Sequence, residues 1–251
     1  MPPAPRSPDV DDLERLAART WRGLAEEPYG DWLLRAACGF TGRANSVLVV
    51  GQPPVPPAAA VDQVGRWYAG RGLRPRAQVP SSPAGAAADE AFAAAGWERV
   101  EDVLVLTAPL PGWPATSVAV DLSPEPDDAW LTGYRYRGAP LPAVARRVLL
   151  TADDPAFAAV RLAPEPAPLA AVARGAVVDG WLVVTAVTVA EHARRQGLAT
   201  AVMAALGTWA TGRGGHSCVL QVLATNEPAL ALYDRLGFTE HHRYHYRLAT
   251  A

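Results

Sequence analysis

The sequence predicts an α/β protein (α+β, three-layer), and its densest evidence lies in the second half. Trp181–Val189 is an apolar, largely β-branched run of strand length. Residues 198–209 then carry an apolar stripe at helical spacing, and Cys218–Val222 is a second short apolar run. Asn226 begins another helical pattern that Gly237 closes as a C-cap. The order is therefore strand, glycine-bearing loop, helix, strand, helix.

The remaining elements follow from the same two periodicities. Proline-rich residues 1–9 predict a loosely held terminus. Spacings of three or four predict helices, and apolar or alternating runs predict strands. Helices are predicted over 13–24, 61–68, 87–95 and 127–136, and strands over 32–38, 45–50, 76–79, 100–107, 117–120, 157–162, 169–178 and 241–248; residues 144–149 fit either.

An internal repeat divides the chain. Phe92–Trp97 matches Tyr233–Phe238, with an aromatic residue at each end and a glycine before the last position. Upstream, Trp67–Gly72 matches Trp209–Gly214, and Ala-Gln-Val at 77–79 matches Leu-Gln-Val at 220–222. Prolines at 109, 111 and 114 mark the boundary between the copies. We predict two α/β units, 1–112 and 113–251, each with a mixed, mostly antiparallel sheet flanked by helices.

Bulk properties restrict the classes of function. The chain has 251 residues, half of them hydrophobic, with a net charge of −2, which argues against a nucleic-acid partner. No apolar run reaches the roughly 20 residues of a membrane span, and the first residues lack a signal-peptide core. Two cysteines, Cys38 and Cys218, form neither a disulfide framework nor a zinc site. We expect a cytoplasmic protein without a metal.

The turn over Arg194–Thr200 has the chemistry of an anion site. A helix start leaves backbone N–H groups without partners and carries partial positive charge. Gly197 removes a side chain where a phosphate would approach, and Arg194 and Arg195 add positive charge. The amides from Gln196 to Thr200 are therefore predicted to bind a pyrophosphate.

These residues together resemble the GNAT superfamily of acetyl-CoA-dependent N-acetyltransferases. Arg194-x-x-Gly197-x-Ala199 matches its signature of Arg or Gln, two residues, Gly, one residue, and Gly or Ala. Asn226–Phe238 is similar to its second cofactor motif. The clear match covers about a quarter of the chain. Many members have Val-x-Pro-Glu before the arginine where this chain has Val-Ala-Glu-His at 189–192. We expect this departure to alter the loop without removing the phosphate donors.

The resemblance assigns roles to individual residues. It implies that a bulged strand diverges from its neighbour and that the main chain of Val187 and Val189 on this strand contacts the pantetheine and thioester. The other interpretation is that both valines only fill the core of the sheet. It implies that Tyr233 is the general acid for the coenzyme A thiolate, where a core tyrosine is the other interpretation. Asn226 is either an N-cap or a pantetheine contact. The expected cofactor residues are Val187, Val189, Arg194, Arg195, Gln196, Gly197, Leu198, Ala199, Thr200 and Asn226; Arg195 also fits a position facing solvent.

The two copies differ in chemistry. Where the second copy has its glycine loop, the first has prolines at 53, 54, 56 and 57, which have no N–H to offer a diphosphate. Where the second copy has Tyr233, the first has Phe92, which has no proton to give. We predict that the N-terminal copy is catalytically silent.

Other polar residues leave alternatives open. Arg43, Asn45 and Ser46 form either an ordinary polar turn, which is favoured, or a substrate contact. The histidines at 192, 216, 241, 242 and 245 have no metal-ligand spacing and fit surface or strand positions. No general base is visible: Glu191, Asp179, Asp153 and Asp154 qualify by charge alone, and a water chain could do the same.

The expected function is direct acetyl transfer from acetyl-CoA to a primary amine of a small molecule or a protein. The alternative is a non-catalytic acyl-CoA sensor or scaffold, and loss of Tyr233 would distinguish the two. We expect no nucleic-acid or membrane partner, and a monomer or homodimer.

Overall fold

The computed structural model describes residues 8–162 and 167–250, and within those ranges it has seven helices and eleven strands. The helices are α1 (Val10–Thr20), α2 (Pro57–Ala69), α3 (Pro83–Ala94), α4 (Asp128–Gly133), α5 (Ala145–Leu149), α6 (Leu198–Thr211) and α7 (Glu227–Arg235). The strands are β1 (Ala25–Tyr29), β2 (Trp32–Ala36), β3 (Val47–Leu48), β4 (Arg76–Pro80), β5 (Glu98–Pro109), β6 (Asp121–Ser123), β7 (Ala156–Val160), β8 (Ala171–Val178), β9 (Trp181–Val189), β10 (Ser217–Leu223) and β11 (Thr239–Leu248). Short 3₁₀ turns cover Arg43–Asn45 and Glu191–Ala193.

All eleven described strands belong to one sheet, in the order β1-β2-β3-β4-β11-β5-β10-β9-β8-β7-β6. The α/β class is confirmed, but the two separate sheets predicted from the repeat are joined into one. The join is an exchange: β11, from the second half, lies between β4 and β5, and β5, from the first half, lies between β10 and β11. The division at residue 112 stays a prediction; it falls in the connection from β5 to β6.

The strands β9 and β10 diverge, which opens a cleft in the sheet. They pair in parallel only from Trp181 with Ser217 to Val184 with Leu220. Beyond Val184, β9 continues to Val189 with β8 as its one neighbour. The register with β8 shifts in this unpaired part, where Ala186 has a positive φ of 59°. Such a bulge bends a strand and increases its twist, so β9 turns away from β10.

Two layers of helices cover the sheet. On one face, α6 and α7 pack against β9 and β10, in a core that includes Leu206, Cys218 and Tyr233. On the other face, Leu13 of α1 packs against Val183 and Val219. A three-layer arrangement results, because β9 and β10 bury apolar side chains on both faces of the sheet.

The predicted repeat is reproduced in local geometry. Phe92 and Trp97 have ring centroids 4.8 Å apart, and Tyr233 and Phe238 have theirs 5.5 Å apart. In each copy the last residue donates its amide to the carbonyl of the first over 3.0 Å. The glycine between them, 96 or 237, has a φ of 79° or 78°, a left-handed conformation that favours glycine. Both helices therefore end in the same way.

A second pair of repeated segments also matches. The guanidinium of Arg71 lies 3.6 Å from the ring centroid of Trp67, and that of Arg213 lies 4.5 Å from that of Trp209. These arginines follow the C-terminal ends of α2 and α6, where a positive charge also interacts favourably with the helix dipole. The two helices are thus equivalent elements.

Some predicted elements were wrong. Residues 117–120 are not a strand: β6 begins at Asp121, and Val118 and Val120 pack against the core from a loop. The strand expected over 45–50 is β3 alone, because Arg43–Asn45 forms a 3₁₀ turn. Residues 144–149 resolve as helix, and β1 was not predicted because its sequence contains two glutamates and a proline. The terminus expected to be loose lies largely outside the described residues.

Candidate active site

The N-terminus of α6 presents a row of unused backbone donors. The amides from Arg195 to Thr200 have no hydrogen-bond acceptor in the part of the chain that the structure describes. Gly197 is the N-cap, and no side chain caps this 14-residue helix. An uncapped helix start with partial positive charge is a suitable place for a phosphate group.

Gly197 has a backbone conformation that favours glycine, and the space around it is open. Its φ is 77°, in the left-handed region, and a Cβ built there would meet no heavy atom within 4 Å. Arg194 and Arg195 are exposed beside it and form no ion pair with the described residues. The turn therefore combines free amides, free positive charge and room for a ligand, as predicted.

The diverging end of β9 supplies further backbone groups. The amide of Ala190 donates to the carbonyl of Ala170 over 2.8 Å, on the β8 side. Because amides alternate along a strand, that of Val189 points to the opposite edge, from which β10 has moved away. Val187 directly follows the bulged residue Ala186. Both valines are partly buried, so their side chains also serve the core.

Tyr233 lies on α7 under the cleft, with only 6% of its surface exposed. It packs against Phe238 and close to Cys218 on β10. Its hydroxyl makes no hydrogen bond with any described residue. Burial raises the pKa of Tyr233 well above its usual range, with a smaller effect from Cys218, so the phenol is protonated at neutral pH and can donate. Burial likewise raises the pKa of the Cys218 thiol, which is therefore not a thiolate.

Asn226 acts as an N-cap. Its side-chain oxygen accepts a hydrogen bond from the amide of Ala229 over 3.3 Å, at the first turn of α7. The residue is exposed, and its side-chain nitrogen donates to no described residue. The N-cap interpretation is thus confirmed, and a pantetheine contact stays a prediction.

The polar turn contains Arg43, Asn45 and Ser46, whose side chains have different hydrogen-bond partners. Asn45 Oδ1 accepts from the amides of Ala37 and Gly39, and its Nδ2 donates to the carbonyls of Phe40 and Thr41. Ser46 is fully buried and accepts from Arg35. These two polar groups are occupied in holding the turn. Arg43 instead reaches Gln221 on β10, 2.8 Å away, and stacks over Trp21.

The acidic residues considered as general bases do not meet at the cleft. Asp179 pairs with Arg19 in the turn before β9, at the opposite end of that strand from the bulge. Asp154 pairs with Arg213 over 3.0 Å. Glu191 is exposed on the 3₁₀ turn before α6, and Asp153 is exposed before β7. Whether any of these four carboxylates serves as the base stays a prediction.

A buried carboxylate that sequence reasoning missed lies at the cleft instead. Glu14 of α1 has 2% of its surface exposed. Its Oε2 accepts from Gln78 Nε2 over 2.8 Å and lies 3.5 Å from Gln221 Nε2, while its Oε1 lies 3.0 Å from His242 Nε2. The available signal was Glu14 on the same helical stripe as Leu13, Ala17 and Trp21. A charged residue on a buried face is paired or functional.

The equivalent region of the first half is closed. The amide of Gly51 donates to Asp11 Oδ2 over 2.7 Å, and that of Gln52 donates to Asp31 Oδ2 over 2.9 Å. The prolines follow directly and have no N–H. Few free amides therefore remain before α2, which agrees with the prediction of a silent copy. Within the described ranges, no group of side chains could hold a metal ion.

Comparisons with known proteins identify the family to which the chain belongs. Residues 7–247 match the family model described as "Probable histone acetyltransferase Rv0428c C-terminal". The chain belongs to the GNAT superfamily of N-acetyltransferases. This GNAT chain is 32% identical over 250 residues to the "Probable histone acetyltransferase Rv0428c" of Mycobacterium tuberculosis, covering 96% of this chain and 74% of that one. It is 27% identical over 248 residues to the "Uncharacterized N-acetyltransferase YobR" of Bacillus subtilis, covering 96% and 98%.

Solved GNAT structures share the fold. A GCN5-related N-acetyltransferase from Kribbella flavida superposes with a TM-score of 0.69 at 15% identity, over 96% of each chain. A tandem GNAT protein from the clavulanic acid biosynthesis pathway superposes with a TM-score of 0.58 at 14% identity, over 97% of this chain and 90% of that one. At these identities the likeness concerns the fold alone. No helix in the described part of the GNAT chain is long and apolar enough to span a membrane.

Proposed function

We propose that this GNAT-type acetyltransferase transfers an acetyl group from acetyl-CoA directly to a primary amine. The observation that carries the proposal is the row of free amides at the start of α6, beside the opening between β9 and β10. The amides suit a pyrophosphate, and the opening suits the pantetheine arm that leads from it. The cofactor site is assigned to the second half.

The residues present fit coenzyme A. Its diphosphate needs donors and positive charge, which the amides from Gln196 to Thr200 and the exposed Arg194 and Arg195 provide. Its pantetheine amides need strand-like partners, which the free edge of β9 at Val189 provides. Acetyl-CoA supplies the thioester carbonyl that the amine attacks.

The chain's own groups then assist the transfer. In this proposal, main-chain amides of the bulged β9 polarise the thioester oxygen as negative charge develops on it. The Tyr233 phenol, which is neutral at physiological pH, protonates the departing thiolate. Holding both reactants in one cleft lowers the entropic cost of the reaction. The buried Cys218 thiol makes an acyl-cysteine intermediate unfavourable, so we favour direct transfer.

The acceptor is proposed as a primary amine of either a small molecule or a protein. The matching family model and one relative carry names that refer to a histone acetyltransferase, and fold alone does not transfer that substrate to this chain. A cytoplasmic location, and a monomer or homodimer without nucleic-acid or membrane partners, belong to the same proposal.

Two measurements test the proposed function. Titration calorimetry should show binding of acetyl-CoA, and no binding at millimolar coenzyme A would contradict the cofactor assignment. A panel of amines, with free-thiol release as the readout, should then show turnover with at least one class. Acetyl-CoA binding without turnover on any amine, unchanged by Tyr233→Phe, would favour the sensor alternative.

A further inference from the structure

A chain of hydrogen bonds leads from the buried Glu14 to the surface. Glu14 Oε1 lies 3.0 Å from His242 Nε2, and His242 Nδ1 lies 2.8 Å from His241 Nδ1. His241 Nε2 in turn lies 3.1 Å from the carbonyl oxygen of Pro8. His242 is buried, whereas His241 is half-buried near the surface. The three side chains therefore connect the interior to the partly exposed ring of His241.

The donors and acceptors in this chain can be assigned by elimination. The Pro8 carbonyl can only accept, so His241 Nε2 carries a hydrogen. If His241 is neutral, its Nδ1 accepts from His242 Nδ1, and the remaining His242 Nε2 and Glu14 Oε1 share one proton. If His241 is charged, it donates to His242, which then donates to the Glu14 carboxylate. In either case the three side chains together carry one extra proton. The reference is a Glu14 carboxylate with His242 and His241 both neutral.

The inner end of the chain lies at the cleft. Gln221 is the first residue of β10 beyond Leu220, the last one paired with β9. It lies 3.5 Å from Glu14 and also accepts from Arg43. A cavity of about 10 Å³ lies at this junction, which is about the space that one water molecule needs. Its polar lining comprises Glu14, Arg35, Arg43, Gln78 and Gln221.

The neighbouring guanidinium groups make their hydrogen bonds to other side chains, so His242 is the titratable group in direct contact with Glu14. Arg35 donates to Ser46 and to Gln78, and Arg43 donates to Gln221, so neither guanidinium contacts the carboxylate. The buried phenol of Tyr244 also faces the network, and its pKa is raised by burial, so it is neutral. The charged and titratable groups that face the pair from neighbouring elements are Arg35, Arg43, Tyr244 and, beside His242, Glu240.

We propose that Glu14, His242 and His241 form a proton relay that carries the proton lost by the acceptor amine from the cleft to solvent. The relay rests on the proposed function and adds the proton acceptor for it. Glu14 belongs to α1 of the first half and lies outside the cofactor motifs of the second half.

The protons balance as follows. An acceptor ammonium must lose one proton before its nitrogen can attack. The relay already holds one proton, so it releases that proton to solvent from His241 as it takes up the ammonium proton at Glu14 through the cavity. The carbon–nitrogen bond then forms as the carbon–sulfur bond breaks. The departing thiolate takes a proton from the Tyr233 hydroxyl. The second proton of the nitrogen then reprotonates Tyr233. The net products are an amide, coenzyme A thiol and one proton released through His241.

The test uses the full chain and pH–rate profiles with the best amine from the panel. Glu14→Gln keeps the size and hydrogen bonding of the side chain and removes its proton-accepting ability. We expect kcat to fall by about a hundredfold, with acetyl-CoA affinity unchanged. The variant's rate should keep rising with pH above the point where the parent reaches its plateau, because the amine must then lose its proton to solvent unaided.

Asp89→Asn is the matched control. Asp89 pairs with His245 over 2.6 Å, so β11 carries two carboxylate–histidine pairs, of which only the Glu14–His242 pair lies at the cleft. We expect this variant to be less stable but to keep the parental pH–rate profile. A parental kcat and profile in Glu14→Gln would overturn the relay while the acetyltransferase assignment stood. Absence of transfer in the parent would instead overturn the proposed function.

His241→Gln keeps the test decisive if Glu14→Gln does not fold. His241 is half-buried, and the change leaves the Glu14–His242 pair in place while removing the titratable outer group. A lowered kcat with a shifted profile and unchanged acetyl-CoA affinity would support the relay. A parental profile would show that the proton leaves by another route.

Discussion

Gln78 and Gln221 meet at one atom, Glu14 Oε2, which lies 2.8 Å from the first amide nitrogen and 3.5 Å from the second. The two glutamines occupy matching positions in the repeated segments, Ala-Gln-Val at 77–79 and Leu-Gln-Val at 220–222. The two copies are therefore arranged around a single carboxylate from α1. Few free amides remain before α2, whereas a row of them stands before α6, so the matching helix starts differ in what they can bind.

The number of cofactor sites is the first prediction. We expect one equivalent of acetyl-CoA per chain by titration calorimetry, and a higher melting temperature with ligand, because a ligand that binds only the folded state stabilises it. The first half has its Gly51 and Gln52 amides occupied by aspartates and has prolines in place of the next donors. Two equivalents per chain would contradict the silent copy.

The second prediction concerns Gly197. Gly197→Glu should abolish measurable acetyl-CoA binding, because the side chain adds bulk and negative charge in front of the free amides. Gly214→Glu is the matched control at the other end of α6, with a φ of 78° and equally open surroundings. Both variants carry a similar backbone strain of about 1 kcal/mol, so their melting temperatures should fall alike. If both bind acetyl-CoA as the parent does, the pyrophosphate site lies elsewhere.

The third prediction concerns Tyr233. Tyr233→Phe should lower kcat by about ten- to a thousandfold, with little change in acetyl-CoA affinity, because the proton donor to the thiolate is lost. Introducing Phe92→Tyr should not restore the lost turnover. Tyr68→Phe is the control: this buried tyrosine donates to the carbonyl of Arg35 over 2.9 Å, so its loss should affect stability and spare turnover. Parental turnover of Tyr233→Phe, when chemistry limits the rate, would leave Tyr233 a core residue.

The fourth prediction concerns stability at low pH. The hydrogen bond from Arg247, and to a lesser degree that from His245, lowers the pKa of Asp89 to about 2. The stabilisation by this carboxylate is therefore complete above its unfolded pKa of about 4 and is lost as the pH falls through about 2. Asp89→Asn should lose about 2 kcal/mol of unfolding free energy at neutral pH. The difference in unfolding free energy between parent and variant, measured by urea titration, should become smaller as the pH falls towards 2.

Asp154→Asn serves as the control for that measurement. Asp154 is exposed and pairs with Arg213 at the surface, so its loss should change stability by less than about 1 kcal/mol. A gap between parent and Asp89→Asn that stays constant from pH 7 to pH 2 would show that the carboxylate charge is not what stabilises this contact.

The sequence predicted those parts of the site that depend on local geometry. Gly197, the free amides after it and the helix ends at Gly96 and Gly237 follow from short segments whose conformations neighbouring residues determine. The exchange of β5 and β11 could not be predicted, because strand pairing at long range is not encoded in periodicity. Glu14 and His242 were missed for the same reason: they lie 228 residues apart in the chain.

The position of β11 between β4 and β5 has a consequence for synthesis. A ribosome makes the first half in full before β11 exists, so β4 and β5 leave the exit tunnel without the strand that joins them. Their open edges are then exposed to pairing with other nascent chains, which favours aggregation. The first half can therefore complete its part of the sheet only after β11 has been translated.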